Sequence, residues 1–210
     1  PKSAFGTGHH PSTTLCLEAI SRLFERGAVE PGQRFLDVGT GTGVLGIGCA
    51  ECGMTGIGVD IDPEAIANAM ENRKLNEVEE QFEILLGSAD SVVGQRFDLI
   101  IANILAKPLQ EMAPQLLDLL STDGCLILSG ILAEQGQAVE SAYAALGPAK
   151  HLYAPSLNAP ALPEEGEDDE TSAQVHPEPY LGQGPLTLAE SDKPGKDDHW
   201  VCLIWKKPGA

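Results

Sequence analysis

In the stretch FLDVGTGTGVLGIG, residues 35–48, Asp37 is followed by glycines at alternate positions, Gly39, Gly41 and Gly43, between two apolar runs. Glycines so placed let a ligand approach the main chain at the start of a helix, where the free N–H groups gather partial positive charge. The segment GTGVLG (41–46) also satisfies the G-x-G-x-x-G form of dinucleotide sites. Any ligand carrying a ribose needs an acid about twenty residues further on, at the end of the second strand, to accept its hydroxyls. Asp60 stands there. The candidate ligands differ in the rest of their outline: a dinucleotide brings a pyrophosphate, whereas S-adenosylmethionine brings a sulfonium cation, an amino acid and an adenosine. The Asp37 carboxylate suits a cation, and it equally suits the loop's own N–H groups as a cap. A third position follows in LIIANILAKPL (99–109), where Asn103 closes an apolar strand and offers a donor and an acceptor. It could bind the ligand, hold an incoming nucleophile, or cap a helix.

These residues need strands that end on one edge of a sheet. Apolar runs predict strands over Arg34–Val38, Gly56–Asp60, Gln81–Leu86, Phe97–Ala102, Gly124–Ser129, Lys150–Tyr153 and Trp200–Lys206. Helical patterns lie between and before them, over Ser12–Arg26, Gly43–Cys52, Pro63–Leu75, Lys107–Leu120 and Leu132–Leu146. Asp62 before Pro63 predicts an N-cap and a first helical turn. The alternation predicts an α/β fold, a mostly parallel sheet with helices on both faces. Ligands of such sheets bind outside the carboxyl ends of the strands, where Asp60 and Asn103 are placed.

With 210 residues the chain suits one well-cored domain, and it holds no apolar run near the length of a membrane span. The formal charge of −18 repels phosphate backbones and anionic lipid and favours a basic partner. Half of that charge lies between Pro155 and Asp198, where eleven acids and two lysines leave −9. Seven of the fifteen prolines fall there too, so the segment is expected to be a disordered acidic insert within the single domain. Five cysteines scattered through apolar segments show no disulfide framework and point to the cytoplasm. The pair Cys49 and Cys52 is expected to pack, with no second pair or nearby histidine to make a metal site.

The segments AFGTGHHPSTTLCLEAI (4–20), LDVGTGTGVLGIG (36–48), GVDIDPEAIANAMENRKLN (58–76), IIANILAKPLQEMAP (100–114) and LILSGILAEQ (126–135) occur in order, and with them the chain resembles the ribosomal protein L11 methyltransferases. The resemblance implies a Rossmann-like, seven-stranded class I methyltransferase fold with an antiparallel last strand, methylating protein amines with S-adenosyl-L-methionine. It implies cofactor contacts at Thr14, Gly39, Asp60 and Asn103, to which the glycine loop adds Gly41, Gly43 and Asp37. The opening loop, with Phe5, Thr7 and His10, resembles a lid over the methyl group. Asn103, His10 and Thr7 are thus the catalytic candidates, although His9 and His10 could equally cap the helix that follows. Asp90 in GSAD is an adenine candidate by fold analogy alone. The family also carries a separate N-terminal substrate-recognition domain, which is not expected within these residues. The partner implied is a basic protein, ribosomal protein L11, with no direct nucleic acid or membrane binding.

Base-modifying relatives carry N-P-P-aromatic after this strand, whereas Ile104, Leu105 and Ala106 leave a planar base no seat. The competing readings are a related enzyme acting on lysines of the electron-transfer flavoprotein, a nicotinamide-dependent oxidoreductase, and a silent module whose acidic loop docks basic proteins. For the oxidoreductase the sequence offers no evident catalytic Tyr-Lys pair or zinc cluster.

Overall fold

A computed structural model describes residues 10–155 and 199–209. Phe5, Thr7, His9 and the acidic stretch 156–198 lie outside the described residues. Seven strands form one sheet in the order β3-β2-β1-β4-β5-β7-β6. They are β1 (Arg34–Val38), β2 (Thr55–Asp60), β3 (Phe82–Leu86), β4 (Phe97–Asn103), β5 (Leu120–Leu132), β6 (Lys150–Pro155) and β7 (His199–Lys206). β1 pairs in parallel with both β2 and β4, and β7 runs antiparallel between β5 and β6. The expected sheet with its antiparallel last strand is what the chain forms.

Helices cover both faces, as β-strands buried on two sides require. On one side α1 (Pro11–Glu25), α2 (Val44–Glu51) and α3 (Pro63–Leu75) pack Leu15, Leu45 and Ala69 with Phe35, Leu99, Ile101 and Ile127. On the other, α4 (Ala106–Glu111), α5 (Ala113–Leu119) and α6 (Ala133–Ala142) pack Leu109, Leu116 and Val139 with Leu36, Ile100, Leu126 and Leu128. Consecutive strand residues thus face opposite layers, which is why these strands read as unbroken apolar runs.

Local chemistry sets the ends of the helices. Asp62 Oδ1 accepts from Glu64 N at 2.9 Å and Pro63 opens α3, as expected. His10 caps α1, its Nδ1 accepting from Ser12 N at 3.3 Å. The helix expected over Lys107–Leu120 is instead two, broken at Met112. Pro114 has no N–H for the carbonyl four residues back, so the first helix stops and the proline opens the second. The helix expected over Leu132–Leu146 ends at Ala142, and a 3-10 turn covers Ala144–Leu146.

One ring sets how closely α2 approaches the sheet. Phe82 of β3 is wholly buried between two glycines. A β-carbon on Gly46 of α2 would overlap the Phe82 ring, and one on Gly58 of β2 would stand 2.8 Å from its Cζ. Gly46→Ala is expected to cost about 1–3 kcal/mol by overpacking. Combined with Phe82→Leu, which shortens the ring's reach, the double variant should be less destabilised in urea than the two single losses added together.

Candidate active site

The chain steps outward from β1 through β2 to β3, then returns to β4 on the other side of β1. The resulting crevice lies at the carboxyl ends of β1 and β4, the binding position of doubly wound sheets. Three of the expected residues border it: Gly39 after β1, Asp60 ending β2 and Asn103 ending β4.

The glycine loop is tied down by its own donors. Gly39 N and Thr40 N both donate to Val59 O, at 2.8 and 3.0 Å, and Gly43 N donates to Thr40 O at 2.8 Å. Gly41 N donates to Asp60 Oδ2 at 2.9 Å, and Asp62 N donates to Asp60 Oδ1 at 3.0 Å. Asp37, only 1% exposed, accepts on Oδ2 from Thr40 Oγ1 at 2.7 Å and from Gly46 N at 3.1 Å. Its Oδ1 is buried without a partner. Gly39 takes φ +70, and a β-carbon there would overlap Ile104 Cγ2, so the loop backbone and the β4 end touch directly.

This arrangement separates the two ligand outlines left open by the glycine spacing. A pyrophosphate is held by free loop N–H groups and the positive helix end. Here the N–H groups of Gly39, Thr40, Gly41, Gly43 and Gly46 already serve protein acceptors, two of them carboxylates. The loop therefore offers bare backbone and negative charge, which suits a cationic ligand without phosphate. Each Asp60 oxygen takes one N–H and keeps a second lone pair, so the half-buried carboxylate can still accept ribose hydroxyls. Ile61 beside it is 78% exposed, an apolar surface at the same edge that the sequence pattern did not single out.

On the β4 side, Asn103 Nδ2 donates to Thr13 Oγ1 at 3.2 Å, and Asn103 Oδ1 is buried without a partner. The threonine that meets Asn103 is thus Thr13, 2% exposed, while the exposed Thr14 turns its hydroxyl to His10 O at 3.5 Å. His10 stacks edge-on to Trp200 of β7, ring centroids 4.6 Å apart, and burial lowers its pKa. Its Nδ1 lies 2.8 Å from Ser12 Oγ, so the capping role anticipated for it is realised. Asp90 lies in a short 3-10 turn, its carboxylate accepting from Ser88 Oγ at 3.0 Å and from Gln115 Nε2 at 2.7 Å. Of the paired cysteines, Cys49 of α2 is buried, its thiol pKa pushed well up by burial and by the charge of Asp37, and Cys52, the cap that ends this helix, is exposed. Among the described residues no group of three or more His, Cys, Asp or Glu is placed to hold a metal ion.

The description of the family Ribosomal protein L11 methyltransferase (PrmA) matches residues 1–151. The chain belongs to the ribosomal protein L11 methyltransferase family. It is 45% identical over 149 residues to a ribosomal protein L11 methyltransferase of Syntrophotalea carbinolica, covering 70% of this chain and 47% of that protein. With the corresponding protein of Burkholderia multivorans it is 40% identical over 145 residues, 69% of this chain and 45% of that protein. The chain thus spans about half the length of the curated relatives it matches. Among solved structures, a ribosomal protein L11 methylase from Lactobacillus delbrueckii subsp. bulgaricus superposes with TM-score 0.62 at 29% identity, over 95% of this chain and 81% of that one.

The matched segment runs from before α1 through α6 and so includes Gly39, Asp60 and Asn103. Burial pushes the Asp37 carboxyl up from 3.8 to about 6; the bonds from Thr40 and Gly46 oppose the rise, and the charge of Asp60 adds to it. The folded protein therefore binds a proton at Asp37 more tightly than the unfolded chain does. The stability this contributes is full below about pH 4 and is lost as pH rises through about 6. Asp37→Asn, which keeps an acceptor for Thr40 and Gly46, removes this dependence. Urea denaturation of both proteins from pH 4 to 7.5 should show the variant gaining on the wild type by up to about 3 kcal/mol, the value of a shift of about two units. A gap between the two that stays constant with pH would refute the assignment.

Proposed function

We propose that this chain is the catalytic part of a methyltransferase that uses S-adenosyl-L-methionine to methylate amines of ribosomal protein L11, lysine side chains or the N-terminal amine. Membership of the family carries the reading, and the loop's occupied N–H groups and buried carboxylate support a cationic, phosphate-free cofactor. Asp60 would hold the ribose, and the Gly39–Gly43 backbone would face the adenosyl and aminoacyl parts. Asp37, lacking exposure, would act by its field rather than by contact. Thr14, exposed on α1, would contact the cofactor, Asn103, backed by Thr13, would orient the reacting groups, and Phe5, Thr7 and His10 would close over them. Asp90 retains a place as an adenine contact. The basic substrate fits the chain's charge of −18, and free, scattered cysteines fit a cytoplasmic setting.

When bound, the cofactor supplies an electrophilic methyl on a sulfonium, so displacement leaves a neutral thioether and needs no covalent enzyme intermediate. What remains for the protein is alignment and exclusion of water. A lysine amine, ordinarily titrating near 10.4, must arrive without its proton. Partial burial beside positive charge lowers that value, so an acceptor such as Asn103 Oδ1 suffices to direct the lone pair.

Calorimetric titration with S-adenosylhomocysteine and with NAD tests the cofactor: the first should bind and the second should not. Asp60→Ala should weaken S-adenosylhomocysteine by at least about tenfold through loss of charge-assisted hydrogen bonds. Incubating the protein with methyl-labelled cofactor and ribosomal extract should label L11. Label on the electron-transfer flavoprotein but not on L11 would replace the substrate assignment.

A further inference from the structure

The ladder between β5 and β7 shifts register between Leu128 and Ile131, and Gly130 lies in that shift with φ +82. Ser129 is the parallel partner of Asn103, and its buried hydroxyl donates to Val201 O at 3.2 Å, fixing the bulge to β7. The bulge turns the Gly130 α-carbon against the end of β4. A β-carbon there would stand 2.6 Å from Ile104 O, 2.9 Å from Ile104 N and 3.0 Å from Asn103 Oδ1. Two of these three atoms are main chain and cannot swing aside. The Asn103 amide is thus bracketed, its nitrogen bonded to Thr13 and its partnerless oxygen set against a bare α-carbon.

We propose that Gly130 is a positioning residue, fixing through the β5 bulge where the Asn103 amide oxygen stands to receive the amine. The proposal rests on the methyl-transfer reading above. It differs from a general need for glycine at positive φ. Gly147, at φ +77 and ψ −163, has nothing within 4 Å of an added β-carbon, so Gly147→Ala carries the backbone strain of a side chain at positive φ without the contact.

Gly130→Ala should lower kcat about 10–100-fold, the effect of misplacing a reacting group by about 1 Å, with KM for L11 and S-adenosylhomocysteine affinity within about threefold of wild type. Gly147→Ala should keep kcat within about twofold. In an Asn103→Ala background, Gly130→Ala should cost less than about threefold more, because the two act through one group. The side-chain amide resonance of Asn103, followed by 15N NMR without any ligand, should move in Gly130→Ala and stay in Gly147→Ala. A wild-type kcat in Gly130→Ala, equal losses in both glycine variants, or losses that multiply with Asn103→Ala would overturn the proposal. Should Gly130→Ala lose its cooperative urea transition, Ser129→Ala decides instead: it loosens the bulge without a clash and should shift the Asn103 resonance and lower kcat at least about threefold, and no change in either refutes the claim. If the wild-type protein transfers no methyl group, the methyl-transfer reading falls, while the amide resonances still decide whether Gly130 places Asn103.

Discussion

A carboxylate sealed inside the protein holds this architecture at its centre. Asp37 ends the middle strand and fastens both the turn that leaves it and the first turn of α2, through Thr40 and Gly46. Burying that group is unfavourable, as its raised proton affinity records, and the two donors recover only part of the loss. A conventional core would place an apolar residue there and leave the loop untethered. The carboxylate instead takes up one N–H of the helix's first turn and leaves negative charge behind bare backbone, a combination that repels phosphate and attracts a cation.

The remaining contacts keep the strand ends in register with that loop. Val59 receives two loop N–H groups and Asp60 a third, so β2 and the turn after β1 are one unit. Ile104 lies directly over Gly39, which couples the end of β4 to the same turn. Thr13 reaches from α1 to Asn103, and His10 from the start of α1 to Trp200 of β7. The crevice is therefore bordered by four strands and one helix whose mutual placement is set by hydrogen bonds and by missing side chains, more than by apolar volume at the edge itself.

Much of this could be read from residue order. The strands through β4 are evident because residues buried on both faces leave uninterrupted apolar runs, and β1 and α3 begin and end where the pattern places them. Asp60 and Asn103 follow from strand ends alone. β5 begins earlier than expected because Leu120 pairs with Phe97 ahead of the turn-like Ser121, Thr122 and Asp123, over which the register with β4 shifts. Pro114 marks the break at Met112, although the apolar periodicity runs across it. Thr13 is not legible in the sequence, because its partner is ninety residues away and its neighbour Thr14 is chemically identical. Gly130 is illegible for a different reason: a bulge is a relation between two strands, and no local pattern encodes it.

Pro155 and His199 are register partners at the end of the β6–β7 ladder, and the next pair, Ala154 and Trp200, brings in the ring that meets His10. Forty-three residues separate two positions that the sheet holds side by side. Closing a connection of that length costs only slightly more than closing a short one, since the entropy grows with the logarithm of its span. The ladder that closes here is accordingly insensitive to how many residues lie between its two strands.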